Sequence, residues 1–379
     1  MVVRMDKEQV AGLPGTFPAW IEHHAQVRGN KVAMREKDLG IWQTWTWQEL
    51  AEQAEQLAAG LAGLGVKDGQ HVAVIGENRP RLYLAMMAAQ MLGAVPVPLY
   101  QDAVAQEMLH VLLDASIRVA VVEDQEQVDK LLEVWDQCPD LDALIYDDPR
   151  GLRNYQQEQL QYIEQVMEQG RLQLARDPDC VRRIWKAITP DHAAAMFYTS
   201  GTTGKPKGVV GTASSMAAMT QVQLAEWEWP EAPRFLMCTP LSHAGAAFFV
   251  PTLMAGGSMV VLPRFEPGEV FRAIEEHRIT ATMLVPSMIY AMLDHPDAEK
   301  ADLSSLETVY YGASAMNPVR LADAIRRWGP IFAQYYGQSE CPMVISYLAR
   351  RDHDLERPER LASCGRPSAF LRTALLDEN

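Results

Sequence analysis

Tyr198–Gly208 is the stretch of this sequence with the densest set of groups that could do chemistry. It holds three glycines, four serine or threonine hydroxyls and two lysines within eleven residues. Glycine lets a backbone approach a ligand closely and adopt positive φ, and successive N–H groups in such turns form anion-binding concavities. The hydroxyls and lysines add hydrogen-bond donors and positive charge. The stretch, called the phosphate loop below, therefore predicts a loop that wraps a polyphosphate.

The spacing within the phosphate loop excludes two familiar nucleotide-binding patterns. A Walker A loop needs four residues between its first glycine and its Gly-Lys pair, and then Ser or Thr. Here Gly201 lies three positions before Gly204, and Pro206 follows Lys205. The dinucleotide fingerprint Gly-x-Gly-x-x-Gly is also not matched. A flexible surface hairpin stays open as an alternative, because Gly, Thr and Lys are ordinary loop residues.

Three later groups of residues also follow predicted strands. They are Leu241–Gly245, which contains His243, then Gly312-Ala313-Ser314, and then Tyr336-Gly337-Gln338-Ser339-Glu340. From the residues alone, a packed core histidine, a simple βα turn and a helix start at Ser339 explain them as well as a binding site does. In open parallel sheets, however, ligands bind at the carboxyl ends of strands. We therefore expect these groups and the phosphate loop to surround one cleft.

Strands and helices alternate on both sides of the phosphate loop. His71–Ile75 predicts a strand, residues 81–92 a helix and residues 94–99 the next strand. Thr46 and Glu49 match a capping box, which marks a helix start. This alternation argues for βαβ units, so we predict an α/β fold of two packed βα subdomains with mostly parallel sheets. Residues 155–190 interrupt this alternation of strands and helices, and they predict a solvated helix and a linker.

Composition narrows the classes of partner. The chain has 379 residues and a formal net charge of −15, which argues against a nucleic-acid-binding surface because phosphate backbones are held by clustered Lys and Arg. Its five cysteines show no metal spacing, and the odd number suggests reduced thiols and a cytoplasmic location. The apolar stretch 82–99 contains Gly93, Pro96 and Pro98, so we expect a buried helix and strand rather than a membrane helix. Peripheral membrane contact and the oligomeric state stay open.

With these motifs in order, the chain resembles the adenylate-forming (AMP-binding) enzyme superfamily, and among its members most resembles the long-chain fatty acid–CoA ligases. The resemblance implies that the phosphate loop holds the β- and γ-phosphates of ATP, that His243 places the acid, and that Glu340 holds Mg²⁺. Tyr336 would stack near adenine, and Ser339 would touch the α-phosphate. The resemblance assigns catalytic roles to His243, Lys207 and Glu340. It assigns nucleotide binding to Thr199, Ser200, Gly201, Thr202, Thr203, Gly204, Lys205, Gly312, Ala313, Ser314, Tyr336, Gly337 and Ser339.

The same resemblance implies a reaction in two steps with ATP, Mg²⁺ and coenzyme A. A carboxylate attacks the α-phosphorus of ATP to give acyl-adenylate and pyrophosphate, and the thiolate of coenzyme A then displaces AMP to give the thioester. Residues 241–249 contain no acidic side chain, which disfavours an amino-acid substrate. An aromatic- or medium-chain-acid ligase, a luciferase-like oxidase and a non-catalytic nucleotide-binding remnant remain alternatives.

We expect three parts along the chain. Residues 1–189 form a first α/β subdomain with its leading segment and linker, and residues 190–340 form a second with the phosphate loop. Residues 341–379 resemble the start of the family's small β-barrel. Full family members continue further, into a ribose-binding aspartate and a C-terminal lid with a catalytic lysine. An incomplete core would bind ATP–magnesium weakly, with reduced or no ligase activity.

Overall fold

The chain forms two compact units in a computed structural model that describes residues 16–199 and 204–374, without the side chains of residues 243, 244 and 246. Among these residues, the first unit comprises 16–199, 204–217 and 240–246, and the second comprises 218–239 and 247–374. The predicted subdomain boundaries after residues 189 and 340 stay a prediction. Both described arms of the phosphate loop belong to the first unit.

The first unit alternates strands and helices along most of its length. Its strands are β1 (Val32–Asp38), β2 (Ile41–Thr46), β3 (His71–Ile75), β4 (Val95–Leu99), β5 (Ile117–Val122), β6 (Ala143–Tyr146), β7 (Leu160–Tyr162), β8 (Ala193–Thr199) and β9 (Lys207–Thr212). Its helices are α1 (Phe17–Arg28), α2 (Trp47–Gly63), α3 (Pro80–Met91), α4 (Ala105–Asp114), α5 (Gln125–Val134), α6 (Ile163–Arg176) and α7 (Cys180–Trp185).

A five-stranded parallel sheet in the order β4-β3-β5-β6-β7 forms the centre of the first unit. β3 to β6 are mostly apolar and buried, as expected of parallel strands that are covered on both faces, whereas the edge strand β7 is half-buried. Helices α4 and α5 bury Met108, Val111, Val128 and Leu131 in the same core. β1 pairs antiparallel with β2, and β8 pairs antiparallel with β9 in a two-stranded sheet of their own.

Two helices of the first unit test the predictions made from local sequence. The capping box at the start of α2 is confirmed, since Thr46 and Glu49 exchange side-chain and backbone hydrogen bonds. The prediction of a largely solvated helix within 155–190 is wrong for one face of α6. An added Cβ at Gly170 would lie 1.8 Å from the carbonyl oxygen of Gln56, so the absence of a side chain lets α6 lie directly against α2. The buried residues of this face are Ile163, Val166, Met167 and Gly170, and their helical spacing is a signal that the overall content of Gln, Glu and Arg obscures.

The second unit has a sheet in the order β16-β15-β14-β13-β12-β10-β11. Its strands are β10 (Arg234–Met237), β11 (Ser258–Val261), β12 (Ala281–Leu284), β13 (Thr308–Tyr311), β14 (Phe332–Gln338), β15 (Cys341–Leu348) and β16 (Arg366–Pro367). Helix α8 (Ala213–Glu226) enters this unit at residue 218, and its other helices are α9 (Ala246–Met254), of which residue 246 belongs to the first unit, α10 (Pro267–His277), α11 (Pro286–Leu293) and α12 (Pro318–Trp328). The strands from β11 to β14 are parallel, whereas β15 and β16 add antiparallel neighbours.

The predicted α/β class with mostly parallel sheets is confirmed in both units. β15 and β16 are the strands described within residues 341–374, and the expectation that they begin a small barrel stays a prediction. Within 16–199 and 204–374, no helix combines the length and apolarity needed to cross a membrane. The apolar stretch 82–99 is split between α3 and β4, as the sequence predicted.

Candidate functional site

The two described arms of the phosphate loop are the paired strands β8 and β9. Thr199 lies opposite Lys207, and Tyr198 lies opposite Gly208. The predicted nucleotide-binding residues Ser200, Gly201, Thr202 and Thr203 lie outside the described residues. The pairing places Thr199 and Lys207, which flank the intervening stretch, next to each other.

Gly204 and the two lysines form the described end of the phosphate loop. Gly204 has φ of +115°, a value that L side chains rarely adopt, and a Cβ there would meet no atom of the described residues within 4 Å. It is therefore the backbone conformation, rather than contact with a described neighbour, that requires glycine at this position. Lys205 and Lys207 are exposed, so their ammonium groups are accessible to an anion.

Two side chains of α4 contact the arms of the phosphate loop, and the sequence did not predict either contact. The phenol of Tyr198 donates a hydrogen bond of 2.7 Å to Asp114 Oδ2. Burial, and then this carboxylate, raise the pKa of Tyr198. On the other arm, His110 Nε2 lies 2.9 Å from the carbonyl oxygen of Pro206. A lone histidine and aspartate on an amphipathic helix have no sequence signal that separates them from ordinary surface residues.

The segment Leu241–Gly245 forms a turn of π-helix in the first unit. The N–H of Gly245 donates to the carbonyl of Pro240 at 3.2 Å, which closes the wide turn. Single π-turns of this kind occur frequently at functional sites. Nothing is described of the side chain of His243, so its assignment to the acid stays a prediction.

Gly312, Ala313 and Ser314 follow β13 in the second unit. A Cβ at Gly312 would lie 2.5 Å from the carbonyl oxygen of Tyr335, so the close approach of β14 excludes any side chain there. Ala313 has φ of +65°, which is uncommon for a residue with a Cβ and marks a locally strained backbone. Ala313 and Ser314 are exposed. The exposed part of this loop thus carries small side chains, and its assignment to the nucleotide stays a prediction.

The stretch from Tyr336 to Glu340 lies at the end of a β-hairpin. β14 and β15 are joined after the pair Gln338 and Cys341, so Ser339 and Glu340 occupy the two-residue turn. The alternative of a helix start at Ser339 is therefore wrong. Gly337 sits in an irregular part of the pairing, where a Cβ would lie 2.1 Å from the N atom of Met343. Tyr336 is 44% exposed and presents its ring to solvent.

A buried histidine supports the strand that precedes Gly312. His353 Nδ1 lies 2.8 Å from the carbonyl oxygen of Ala349, to which it must donate. Its Nε2 therefore accepts from the hydroxyl of Tyr311, at 3.0 Å. Burial lowers the pKa of His353 and raises that of Tyr311, so both groups are held neutral.

The site residues thus fall into two groups, one in each unit. Thr199, Gly204, Lys205, Lys207 and the backbone of 241–245 belong to the first unit, and 312–314 and 336–340 belong to the second. The expectation that both groups line one cleft stays a prediction. Within the part of the chain that the structure describes, no three His, Cys, Asp or Glu side chains form a metal-binding group. Glu340 is a single exposed carboxylate.

The sequence matches the model of the AMP-binding enzyme family over residues 21–379. It is 50% identical over 345 residues to the medium/long-chain-fatty-acid–CoA ligase FadD8 of Mycobacterium tuberculosis, across 88% of this chain and 56% of that protein. It is 31% identical over 362 residues to the indoleacetate–CoA ligase of Aromatoleum aromaticum, across 93% of this chain and 65% of that protein. The chain therefore spans between half and two thirds of the length of these relatives.

Solved structures with the same fold include the following two. The amide bond synthetase McbA of Marinactinospora thermotolerans is 26% identical, with a TM-score of 0.76 over 93% of this chain and 65% of that one. The N-terminal domain of FACL13 from Mycobacterium tuberculosis has a TM-score of 0.77 at 22% identity, over 94% of this chain and 83% of that one. The second likeness concerns the fold alone.

Proposed function

This chain belongs to the AMP-binding enzyme family, and from that membership we propose that the protein activates a medium- or long-chain fatty acid. ATP and the acid give an acyl-adenylate and pyrophosphate, and coenzyme A then gives the acyl-CoA thioester and AMP. The observation that carries this proposal is the 50% identity, over 345 residues, to a medium/long-chain-fatty-acid–CoA ligase. The glycine-, hydroxyl- and lysine-rich hairpin supports it, because such a loop suits a polyphosphate.

In this proposal the phosphate loop acts by charge and position. The ammonium of Lys207 and the backbone beside Gly204 offset negative charge on the β- and γ-phosphates, while the α-phosphorus stays open to the acid. Attack at that phosphorus places further charge on its oxygens and on the leaving pyrophosphate, so pre-positioned donors favour the transition state over the bound substrate. The exposure of both lysines supports this role.

The second-unit groups are assigned to the nucleoside and the acid. The 44% exposed ring of Tyr336 offers a face for adenine, and the small residues 312–314 leave room beside it. Ser339 donates to the α-phosphate from the hairpin turn. His243 is assigned to placing the acid, and the π-helical backbone that carries it supports a functional role for this turn.

Magnesium fits the donors of this chain only as an ion carried mostly by ATP. Mg²⁺ in such sites uses one or two carboxylates together with substrate phosphates and waters. Glu340, exposed at a two-residue turn, supplies one such carboxylate. When bound, the ion would neutralise charge on the phosphates. Glu340 would orient the ion's protein-facing side and thereby fix the phosphates relative to Ser339.

Two observations favour an aromatic acid as the second candidate substrate. The chain is 31% identical to an indoleacetate–CoA ligase, and it is 31% identical over 358 residues to a feruloyl-CoA synthase of an Amycolatopsis species. Acid-dependent exchange of pyrophosphate into ATP separates the candidates, with palmitate, decanoate, indoleacetate and ferulate as acids. Exchange with palmitate or decanoate is expected. Exchange with ferulate or indoleacetate alone would replace the proposed substrate with the second candidate.

Binding of ATP–magnesium tests the site residues without relying on turnover. Lys207→Ala and Glu340→Gln should each weaken binding about tenfold, since hydrogen bonds to charged groups contribute about 1.5–3 kcal/mol. Lys207→Ala should also reduce the salt dependence of binding, because an exposed charge is screened by added ions. The exposed pair Lys300→Ala and Glu299→Gln provides matched controls. Unchanged affinity in both site variants would refute the assignment.

A further inference from the structure

Both described arms of the phosphate loop are tied to one helix, α4. Tyr198, which lies two positions before the first undescribed residue of the loop, donates a hydrogen bond of 2.7 Å to Asp114. His110 contacts the carbonyl of Pro206 at 2.9 Å, directly before β9. A carbonyl oxygen can only accept, so His110 Nε2 carries the proton and donates it. His110 and Asp114 are four residues apart and therefore share one face of the helix.

Helix α4 is itself held firmly, so it can serve as an anchor. Its opposite face buries Met108, Val111 and Leu112 in the core of the first unit, together with β3, β4 and β5. A helix fixed by such packing moves little relative to its sheet. Side chains that extend from it toward the hairpin therefore limit how far the two arms can move.

Gly208 makes the contact on the first arm possible. It lies opposite Tyr198 across the hairpin, and a Cβ there would come within 2.9 Å of Met196 Sδ and 3.2 Å of Tyr198 Cζ. The phenol ring therefore lies against the bare backbone of Gly208, and Met196 belongs to the buried core. The ring is thus confined on one side by the hairpin and at its hydroxyl by Asp114.

The position of Asp114 within α4 indicates that its carboxylate does not stabilise the helix. It is the last residue of α4, where a carboxylate meets the negative end of the helix dipole. A negative charge there costs the helix about 0.3–1 kcal/mol. The contact with Tyr198 is a favourable interaction that this carboxylate makes across 84 residues of sequence.

We propose that His110 and Asp114 are positioning residues that clamp the two arms of the phosphate loop, so that nucleotide binding needs less ordering. The effect on ATP binding rests on the proposed function, whereas the two contacts themselves belong to the hairpin and can be tested without a nucleotide. Pre-ordering a loop lowers the entropy lost when a ligand binds. Removing either contact should therefore weaken ATP–magnesium binding while the fold itself stays intact.

Trypsin under native conditions reports directly on the clamp. The bond after Lys205 is protected by Pro206, so Lys207–Gly208 is the reporting bond, and it is cleaved only when the start of β9 opens. Cleavage of a transiently opened segment follows the population of its open form. Asp114→Ala and His110→Ala should each raise cleavage at this bond about tenfold, as expected for the loss of one hydrogen bond.

A second readout separates a clamp from general support of the fold. Asp114→Ala and His110→Ala should each weaken ATP–magnesium binding about fivefold to tenfold. The Tm of both variants should stay within about 2 °C of the parent, because one hydrogen bond is a small part of the stability of a chain of this length, and in Asp114→Ala the loss of charge also relieves the helix end. Asp114→Asn, which keeps an acceptor for Tyr198, should return both the cleavage rate and the affinity for ATP–magnesium to the parental values. Gln106→Ala, an exposed change on the same helix, is the control.

The partner of Asp114 is tested by a double-mutant cycle. Tyr198→Phe should reproduce the effect of Asp114→Ala on cleavage, and the combined variant should be no worse than either single one. His110→Ala, which acts on the other arm, should instead add its full effect to that of Asp114→Ala.

Three outcomes would overturn the clamp. They are parental cleavage rates in both alanine variants, faster cleavage throughout the chain with a matching loss of Tm, and full additivity of Tyr198→Phe with Asp114→Ala. A parent chain that binds no ATP–magnesium would instead overturn the proposed function, and the cleavage rates would still decide whether these side chains hold the loop.

Discussion

Glu36 on β1 should make the protein less stable as the pH rises, which is opposite to the usual behaviour of a carboxylate. The side chain is 11% exposed. Burial raises the pKa of Glu36 from 4.5 to about 7, although the neighbouring Arg79 acts in the other direction. Arg79 Nη1 lies 3.5 Å from Glu36, while its Nε lies 2.7 Å from Glu123, so its charge is shared between two carboxylates.

The magnitude follows from the two pKa values. A rise from 4.5 to about 7 means that the folded state keeps a proton that the unfolded state releases. The resulting stabilisation is fully present below about pH 4.5 and is lost as the pH rises through about 7. The complete effect is about 3 kcal/mol, and about 2.5 kcal/mol of it should disappear between about pH 5 and about pH 8.

Urea unfolding of the parent and of Glu36→Gln at a series of pH values measures this effect. Gln resembles the protonated carboxyl and cannot ionise, so the parent should lose about 2.5 kcal/mol relative to the variant over that range. Groups that titrate alike in both proteins cancel in the difference. Glu133→Gln, at an exposed position of α5, reports the effect of removing a surface carboxylate.

A difference that stays constant, or that grows in favour of the parent at high pH, would refute the reasoning. Either result would mean that Arg79 stabilises the ionised carboxylate by more than its burial costs. Buried ion pairs are often too weak to repay desolvation, which is why we expect the opposite.

Two further predictions concern stability. Gly170→Ala should destabilise the protein by about 1–3 kcal/mol or more in urea unfolding, because its Cβ would lie 1.8 Å from the Gln56 carbonyl oxygen. The control Gly63→Ala, whose Cβ would meet nothing within 4 Å, should be neutral or stabilising. Equal effects of the two substitutions would disprove the packing argument. The pKa of His353 is lowered by burial, so stability should fall as the pH drops through about 6.5, where the unfolded chain takes up the proton. The Tm advantage of the parent over His353→Gln should therefore shrink between about pH 7.5 and about pH 5.5, and a growing advantage would show that the imidazole is buried as a cation.

The sequence predicted features that depend on nearby residues. Strand and helix alternation in the first unit follows from apolar periodicity, which reports the faces that must be buried. The capping box at Thr46 and Glu49 is a contact between residues three positions apart, so local sequence contains all of it. The same holds for the glycine conformation at Gly204, which is a property of one residue.

Local sequence left the outcome open where pairing with a second element decided it. Ser339 was compatible with a helix start by residue type, but pairing of β14 with β15 makes it part of a hairpin turn. The face of α6 at Gly170 also carries Ile163, Val166 and Met167 at helical spacing, but the polar composition of 155–190 obscured this signal, and the face packs against α2. In both cases the local sequence allowed more than one structure, and a partner strand or helix selected one of them.

The sequence by itself determined the donors of the phosphate loop, the α/β class and the family. These depend on residue types and short spacings, which a chain carries whether folded or not. Only the tertiary structure decided that Tyr198 meets Asp114, that His110 meets Pro206, and that Glu36 is buried beside Arg79. The physical reason is that each of these contacts joins segments more than 40 residues apart, so packing of whole elements, rather than local periodicity, brings their side chains together.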